Sequence, residues 1–341
     1  MTIEPVLPYM ATGARHDDAR DEERARANAA MEVLRELIPW DGYALSAWDI
    51  GTGTHRHITL ASEGYPTDLQ DHMNDAFVEQ NPGFRVLHTR VPHALRWLDL
   101  ARDWEIQFAR TSSAEEHLIP AGFTEGATMC LRLPDGRYTG ALHVSWKKSA
   151  HATDEARRII EGFRPVLARA CDLLSDVQHG VQDLGPEAHV ALVSAEGSIT
   201  DMPGRSMGPI LSDPEVLRDL IREPTYRARR FLWASTEGLC HRIELVPWRG
   251  RTTMLVEQRI SWPFGLTSRE AEILRLVADG MSNPQIGKEL FISPRTVSTH
   301  VEHILHKLNC QSRAQLARFA VDADLLLMGS ALGRAHSTSA R

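Results

Sequence analysis

Cysteine is scarce in this chain: there are four residues among 341, and no two of them form a CxxC pair. The scattered thiols of Cys130, Cys171, Cys240 and Cys310 do not suggest a disulfide framework, which favours a reducing compartment. The sequence also lacks the run of about eighteen apolar residues that a membrane helix requires, and it lacks an apolar N-terminal stretch. We therefore expect a cytoplasmic protein with no signal peptide and no membrane partner.

Catalytic signatures are absent as well. The sequence has no GxSxG, no Walker loop, no HExxH, no zinc-ligand spacing and no GxGxxG after a predicted strand. A phosphorylated response regulator needs an acidic pair after an early strand, and Asp17 and Asp18 follow none, so a degenerate receiver is only a weaker alternative. We expect a protein that is not an enzyme and that uses no cofactor and no metal.

The chain also has no basic excess, because its formal net charge is −7. Between Ser261 and Leu325, seven Lys or Arg side chains balance seven Asp or Glu. Nucleic-acid-binding domains usually carry a basic footprint. Any nucleic-acid interface in this segment must therefore come from the local arrangement of a few basic side chains, for which the candidates are Arg269, Lys288, Arg295, Lys307 and Arg313.

Helix start signals are frequent near the C-terminus. Four residues there are typical N-caps, and each precedes a helical pattern of apolar positions: Thr267, Ser282, Ser293 and Ser312. Thr267 has Glu270 three residues later, which completes a capping box. The sequence therefore predicts an all-α unit of four short helices over residues 262–326.

The second and third of these helices are joined by only about three residues, Phe291 to Ser293. So short a link forces a sharp crossing, which is the geometry of a helix-turn-helix. Gly287 fits this reading, because a side chain at the crossing would hold the helices apart. The third helix has one apolar stripe and an opposite polar face led by Arg295, as a recognition helix in the major groove does. An ordinary bundle with a solvated face shows the same spacing.

The stretch from Leu266 to Leu316, LTSREAEIL…ADGMSNPQIGKELFISPRTVSTHVEHILHKL…SRAQL, resembles the DNA-binding domain of LuxR-type regulators. The resemblance implies a homodimer on double-stranded promoter DNA, with RNA polymerase as a further partner. It implies base contacts from Ser298, Thr299 and Glu302, besides Arg295 at the head of the helix. Phosphate contacts are implied for Thr296, Lys307 and Arg313. Glu302 also suits a helical partner for His306, four residues on.

The N-terminal part has a different pattern. Residues 1–17 lack periodicity and are expected to be disordered. The segment 18–178 reads as a helix, a hairpin, a helical insertion with one helix at about 104–114, a second hairpin and a long helix from about 153 to 177. The first helix suits either a cover for the sheet or a dimer contact. This order predicts an α/β sandwich with a central antiparallel sheet, and so an α+β fold class for the whole chain.

That order resembles a GAF-type sensor domain and the related signal-binding domain of quorum-sensing LuxR proteins. The resemblance rests on SEGYPTDLQDHM…NPGFRVL…LRWLDL and on GFTEGATMCLRLPDGRYTGALHVSW. It implies a small-molecule effector, although Asn81-Pro82 stands where that family has Asp-Pro, so we expect a ligand other than an acyl-homoserine lactone. A small-molecule-binding signalling protein is the alternative function. The candidate ligand residues are Tyr43, Asn81, Trp97, Thr128 and His143.

Between these parts, residues 187–258 carry strand patterns around one short helix at 214–222. The segment resembles a reduced PAS-like α+β module. A polar stretch at 176–186 is expected to link it to the first domain, and residues 329–341 are expected to form a disordered tail. Together, the observations predict a one-component transcription regulator in which an N-terminal sensor controls a C-terminal DNA-binding unit.

Overall fold

The computed structural model describes residues 14–52, 56–75, 77, 81–90, 93–214, 216–218, 229–249 and 251–328. Within these ranges the chain forms two compact units, which meet in sequence at His179 and Gly180. The predictions of disorder for residues 1–13 and 329–341 lie outside the described ranges. The first helix already includes residues 14–17, so it begins four residues before the predicted domain start.

The first unit alternates helices with a five-stranded sheet. Its helices are α1 (Ala14–Leu37), α2 (Thr67–Asn74), α3 (Pro82–Arg90), α4 (Trp97–Trp104), α5 (Asp154–Gly162), α6 (Arg164–Ala170) and α7 (Ser175–Val181), the last of which crosses the boundary between the units. Its strands are β1 (Gly42–Trp48), β2 (His57–Glu63), β3 (Leu95–Arg96), β4 (Glu125–Arg132) and β5 (Tyr138–Trp146). The strand order is β2-β1-β5-β4-β3, and all neighbours are antiparallel.

Small side chains on one face of this sheet admit the aromatic residues of the helical insertion. A Cβ added to Gly42 would lie 2.7 Å from the ring of Tyr65, and one added to Gly126 would lie 2.8 Å from Nε1 of Trp97. Phe77 and Phe84 are fully buried in the same core. On the other face, α1 packs against the sheet through Met31 and other buried residues, so the reading of α1 as a cover for the sheet is correct.

Two helix predictions in this unit were wrong. The single helix expected from about 153 to 177 is three helices, and the first break falls just before Pro165, whose ring cannot continue a regular helix. The first six residues of the polar linker expected at 176–186 belong to α7 instead. The helix expected from Trp104 is instead α4, which ends there and turns at Glu105, a residue with φ 56°.

The second unit has its own antiparallel sheet and then four helices. Its strands are β6 (His189–Ser194), β7 (Ile199–Asp201), β8 (Arg229–Ala234), β9 (Cys240–Pro247) and β10 (Thr252–Ile260). The helices are α8 (Ser268–Ala278), α9 (Asn283–Glu289), α10 (Pro294–Lys307) and α11 (Arg313–Asp322). The strand order β7-β6-β10-β9-β8 repeats, strand for strand, the order of the first sheet. The α+β fold class is confirmed, although most of the helix expected over 214–222 falls outside the described residues.

The two faces of the second sheet have different neighbours. Phe231, Trp233 and Ile243 belong to a core on one face. Leu232 and Ala234 alternate with them on β8 and belong to the core of the four-helix segment. The sheet and the helices therefore share one hydrophobic core through β8.

Candidate nucleic-acid interface and sensor residues

All four predicted N-caps stand where helices begin. The Thr267 hydroxyl accepts a hydrogen bond from the backbone amide of Glu270 at 3.2 Å, and the Glu270 carboxylate accepts one from the backbone amide of Thr267 at 2.7 Å. Ser293 accepts from the amide of Thr296 at 3.0 Å, and Ser312 caps α11 in the same way. These short-range bonds fix where each helix starts, and so they fix which residues lie on the outer face of α10.

The turn between α9 and α10 is as tight as the sequence predicts. A Cβ on Gly287 would lie 2.7 Å from the carbonyl oxygen of Ile292, and the Ile292 amide donates to the Gly287 carbonyl at 2.9 Å. Phe291 makes the turn at φ 55°. The two helices therefore cross at close range, in the arrangement of a helix-turn-helix.

Helix α10 buries one stripe and exposes another. Val297, Val301 and Ile304 are buried in the unit's core. The exposed side carries several of the predicted DNA-contact residues, which are Arg295, Thr296, Thr299 and Glu302, with Ser298 half-buried beside them. The Thr299 hydroxyl donates to the Arg295 carbonyl at 3.3 Å, within its own helix. This surface is polar and is led by Arg295, which suits contact with base edges in a major groove.

Two of the side chains predicted to contact phosphate form hydrogen bonds within the unit. Nζ of Lys307 donates to Oε2 of Glu270 and to the Gly265 carbonyl, both at 2.7 Å. Burial raises the pKa of Glu270, but Lys307 and the Thr267 amide outweigh it and hold that pKa below its usual range. Arg313 donates to Asn283 at 3.0 Å and to the Met281 carbonyl. These two cations hold α8, α9, α10 and α11 together, and their contact with phosphate remains a prediction.

We therefore expect the salt dependence of DNA binding to distinguish the role of Arg295, which is predicted to face the DNA, from that of Lys307, which stabilises the unit. Arg295→Met should reduce the slope of log affinity against log salt by about 0.9, the value for one phosphate contact on duplex DNA. Lys307→Met should instead lower the free energy of unfolding, because it leaves the nearly buried Glu270 carboxylate without its cation. Anisotropy titrations over a range of salt, with urea unfolding of both variants, measure the two effects. Equal loss of slope in both variants would contradict this separation and would show that Lys307 contacts phosphate, as the resemblance implies.

Four of the five predicted ligand residues lie in or beside the core under the helical insertion. Thr128 and His143 are paired across β4 and β5, with 3.1 Å between Oγ1 and Nδ1. Asn81 is buried at the start of α3, where its side-chain oxygen accepts the amide of Gly83 at 2.8 Å. The Trp97 ring stacks on Phe108 at 4.8 Å between ring centroids. These residues come from separate stretches of sequence and meet on one side of the sheet.

Tyr43 does not join this group. Its register partner on β5 is Val144, whereas His143 is paired with Ala44, so Tyr43 points to the opposite face. There its ring meets Trp40 at 5.3 Å. Residues of one strand alternate between faces, so Tyr43 cannot reach the cluster that contains His143.

Two polar atoms of the buried cluster have no hydrogen-bond partner among the described residues: Nδ2 of Asn81 and Nε2 of His143. Burial lowers the pKa of His143 to about 3, so its ring is neutral at physiological pH. A neutral imidazole and an amide N–H offer a ligand both an acceptor and a donor. This arrangement suits recognition of an uncharged polar group.

The depressed pKa of His143 predicts acid sensitivity. The pKa of His143 is about 6.5 in the unfolded chain and about 3 in the folded one. Between these two pH values the unfolded chain binds a proton that the folded chain does not, so the free energy of unfolding falls as the pH falls. From pH 6.5 to pH 5 the expected loss is about 2 kcal/mol. His143→Leu should remove this loss, whereas His151→Leu, at an exposed position, should keep it. Urea unfolding of the first unit at several pH values measures the difference, and an unchanged pH dependence in His143→Leu would contradict it.

Comparison with known proteins gives separate results for the C-terminal segment and for the whole chain. Residues 265–320 match the model of the luxR family of bacterial regulatory proteins. The transcriptional regulatory protein LiaR of Bacillus subtilis is 53% identical over 55 residues, which are 16% of this chain and 26% of LiaR. The oxygen regulatory protein NreC of Staphylococcus carnosus is 44% identical over 61 residues, 18% of this chain and 28% of NreC. The C-terminal segment is therefore a helix-turn-helix of the luxR family.

Among solved structures, SdiA of Escherichia coli is similar over 88% of this chain and 91% of its own, with 17% identity and a TM-score of 0.30. At that TM-score the likeness adds nothing to the fold described above. The matches to LiaR and NreC span less than a third of either protein. No helix among the described residues is long and apolar enough to cross a bilayer.

Sequence reasoning missed one polar cluster, which lies in the second unit. His241 and Glu257 are buried on one face of its sheet, with Trp233 beside them. The signal was present, since His241 occupies an inward position between apolar residues of a predicted strand. It went unused because a single His or Glu in a strand pattern does not reveal which strands become neighbours.

Proposed function

We propose that this protein is a one-component, sequence-specific transcription regulator that binds double-stranded operator DNA as a homodimer. The observation that supports this most is the outer face of α10, where short polar side chains and Arg295 project from a capped helix-turn-helix of the luxR family. An acidic chain with a neutral DNA-binding segment can bind this way if its few free cations and its helix N-termini face the phosphates.

The sensing role belongs in the first unit under this proposal. Support comes from the buried cluster of Asn81, Thr128 and His143. Two polar atoms of this cluster have no hydrogen-bond partner among the described residues and lie in otherwise apolar surroundings. A protein partner in place of a small molecule is the other form of the proposal. Ligand binding would act by shifting the population between arrangements of the two DNA-binding segments.

Support for a dimer comes from the outer side of α1. Its inner side covers the sheet, while Val33 and Leu37 are each more than half exposed. These apolar side chains, one turn apart, offer a small surface for a second copy of the helix. RNA polymerase is the further partner that a regulator at a promoter would meet.

The test uses the full chain and a randomised duplex library. Repeated selection followed by anisotropy at fixed salt should yield an operator with two half-sites spaced by about one helical turn, or a multiple of it. Affinity for that operator should exceed affinity for an unrelated duplex by about 10³ or more. Equal affinity for both duplexes would overturn the proposal and favour a small-molecule-binding signalling protein without DNA specificity.

A further inference from the structure

The second unit contains a cavity of about 600 Å³ above one end of its sheet, a volume within the range of small-molecule sites. Trp233 and His241, which are direct cross-strand partners on β8 and β9, line it. This is the sheet face that packs away from the DNA-binding helices, because Leu232 and Ala234 take the other face. The cavity belongs wholly to the second unit and is separate from the cluster around His143.

A buried polar pair lies at the cavity's wall, where His241 lines the cavity and Glu257 is buried next to His241. His241 is 5% exposed and Glu257 is fully buried, with 2.8 Å between Nδ1 of the former and Oε1 of the latter. The other carboxylate oxygen of Glu257 accepts the Ile210 amide at 3.2 Å. Gly208 lies against this oxygen so closely that an added Cβ would be 1.8 Å from it. The surroundings thus hold the Glu257 carboxylate in place beside the His241 ring, although Nδ1 and Oε1 are not aligned for a hydrogen bond.

Three nitrogen atoms of the residues at this wall have no hydrogen-bond partner within the part of the chain that the structure describes. They are Nδ1 and Nε2 of His241 and the indole Nε1 of Trp233. A buried polar group without a partner costs about 1–3 kcal/mol. Apolar residues at both positions would avoid that cost, so a group that enters the cavity and bonds to these nitrogens explains their presence.

The charge of the rim restricts what can enter. Three carboxylates line the cavity, from Glu187, Asp213 and Glu237, against one guanidinium, from Arg259. An anionic ligand would be repelled, while a neutral or cationic one would not. The indole N–H can only donate, so the ligand must present a hydrogen-bond acceptor to it, such as a carbonyl or hydroxyl oxygen.

We propose that this cavity is a second small-molecule site, and that its ligand is a neutral or cationic compound with a carbonyl or hydroxyl oxygen bound by Trp233 and His241. Its position gives the site a route to the DNA-binding segment. The backbone of Leu232, next to Trp233, exchanges hydrogen bonds of 2.8 Å with Leu326 and Met328 just beyond α11. A ligand that repositions β8 therefore moves the attachment of the helix-turn-helix.

Binding is tested on the full chain by nitrogen-15 NMR. The reporters are the indole N–H of Trp233, identified by its loss in Trp233→Phe, and the amides of Ser235 and Leu239, which also line the cavity. The probes are benzamide, tyramine and 4-hydroxyphenylacetate. Tyramine and 4-hydroxyphenylacetate share a phenol and differ in the sign of their charge. Each probe is titrated to saturation or to about 10 mM, in the range of the weak affinities small ligands show.

Benzamide and tyramine should shift all three reporters, and 4-hydroxyphenylacetate should bind at least about tenfold more weakly than tyramine, a difference of about 1.4 kcal/mol. Trp233→Phe keeps an aromatic ring and loses the donor, so it should weaken benzamide about fivefold or more, read from the two amides. His151→Leu, an exposed substitution in the first unit, should leave every titration unchanged.

Three results would overturn the proposal. The first is no shift with any of the three probes, which would indicate a cavity that holds only water. The others are stronger binding of 4-hydroxyphenylacetate than of tyramine, and unchanged benzamide affinity in Trp233→Phe. None of these readouts depends on DNA binding. Failure of the cavity and failure of the proposed regulator function are therefore distinguishable.

Discussion

Thr299→Glu is expected to abolish specific operator binding while leaving the fold intact. Thr299 is exposed on the outer face of α10, and its hydroxyl bonds only within its own helix, so the substitution removes no packing. A carboxylate at this point would face base edges and phosphates and would lose the matching contacts, each of which is worth about 1–3 kcal/mol. Loss of affinity by about 10² or more is the expected result in anisotropy titrations against the selected operator.

Thr67→Glu is the matched control, because it makes the same change at an exposed residue in the first turn of α2. A carboxylate at a helix N-terminus is favourable, so this variant should keep both its stability and its operator affinity. Operator affinity in Thr299→Glu equal to that of the control would mean that α10 is not the recognition helix. Equal loss in both variants would point to net charge rather than to position.

If the helix-turn-helix segment binds DNA as proposed, its neutral charge limits how strongly phosphate contacts alone can hold it. Of its basic side chains, Lys307 and Arg313 are engaged inside the unit and Arg269 donates to Glu272 and to the Leu290 carbonyl. Arg295 and Lys288 are exposed and available. Under the proposed function, specificity would therefore depend more on base contacts from α10 than on a basic surface, which is why one substitution at Thr299 should have so large an effect.

Local chemistry made the helix-turn-helix predictable. Cap residues and their partners lie three positions apart in the sequence. Thr267, Ser293 and Ser312 therefore predicted where α8, α10 and α11 begin without any knowledge of the rest of the chain. Contacts between distant residues were not predictable in this way. Lys307 reads as a free cation in the sequence, and only the packing of α10 against α8 brings it to Glu270, 37 positions away.

The sensor residues show the same limit. Thr128 and His143 could be placed on one side of a sheet because both lie in a clear hairpin, and they are paired in the structure. Tyr43 was misplaced by one position of register, since Ala44 takes the place next to His143. A shift of one residue exchanges the two faces of a strand, and no local signal in the sequence fixes the register between β1 and β5.

Residues just beyond α11 carry the strongest prediction about stability. Leu325 and Leu327 are buried in the core that the helices share with Leu232 on β8, and Leu327 forms a parallel bridge with Leu232. Asp324 adds an ion pair with Arg230 at 3.1 Å. Because this short segment closes the core between sheet and helices, we expect Leu327→Glu to lower the free energy of unfolding of the second unit by about 4 kcal/mol or more.

Urea unfolding followed by NMR separates the consequences. In the unsubstituted chain, amides of β9 and α10 should lose their signals at one denaturant concentration, because sheet and helices share a core. In Leu327→Glu both should unfold earlier. Val321→Glu is the control, since Val321 lies on α11 and is more than half exposed, so it should cost less than about 0.5 kcal/mol. Early loss of α10 signals with β9 unchanged would show that the helices and the sheet are independent, and would remove the route from the cavity at Trp233 to the DNA-binding segment.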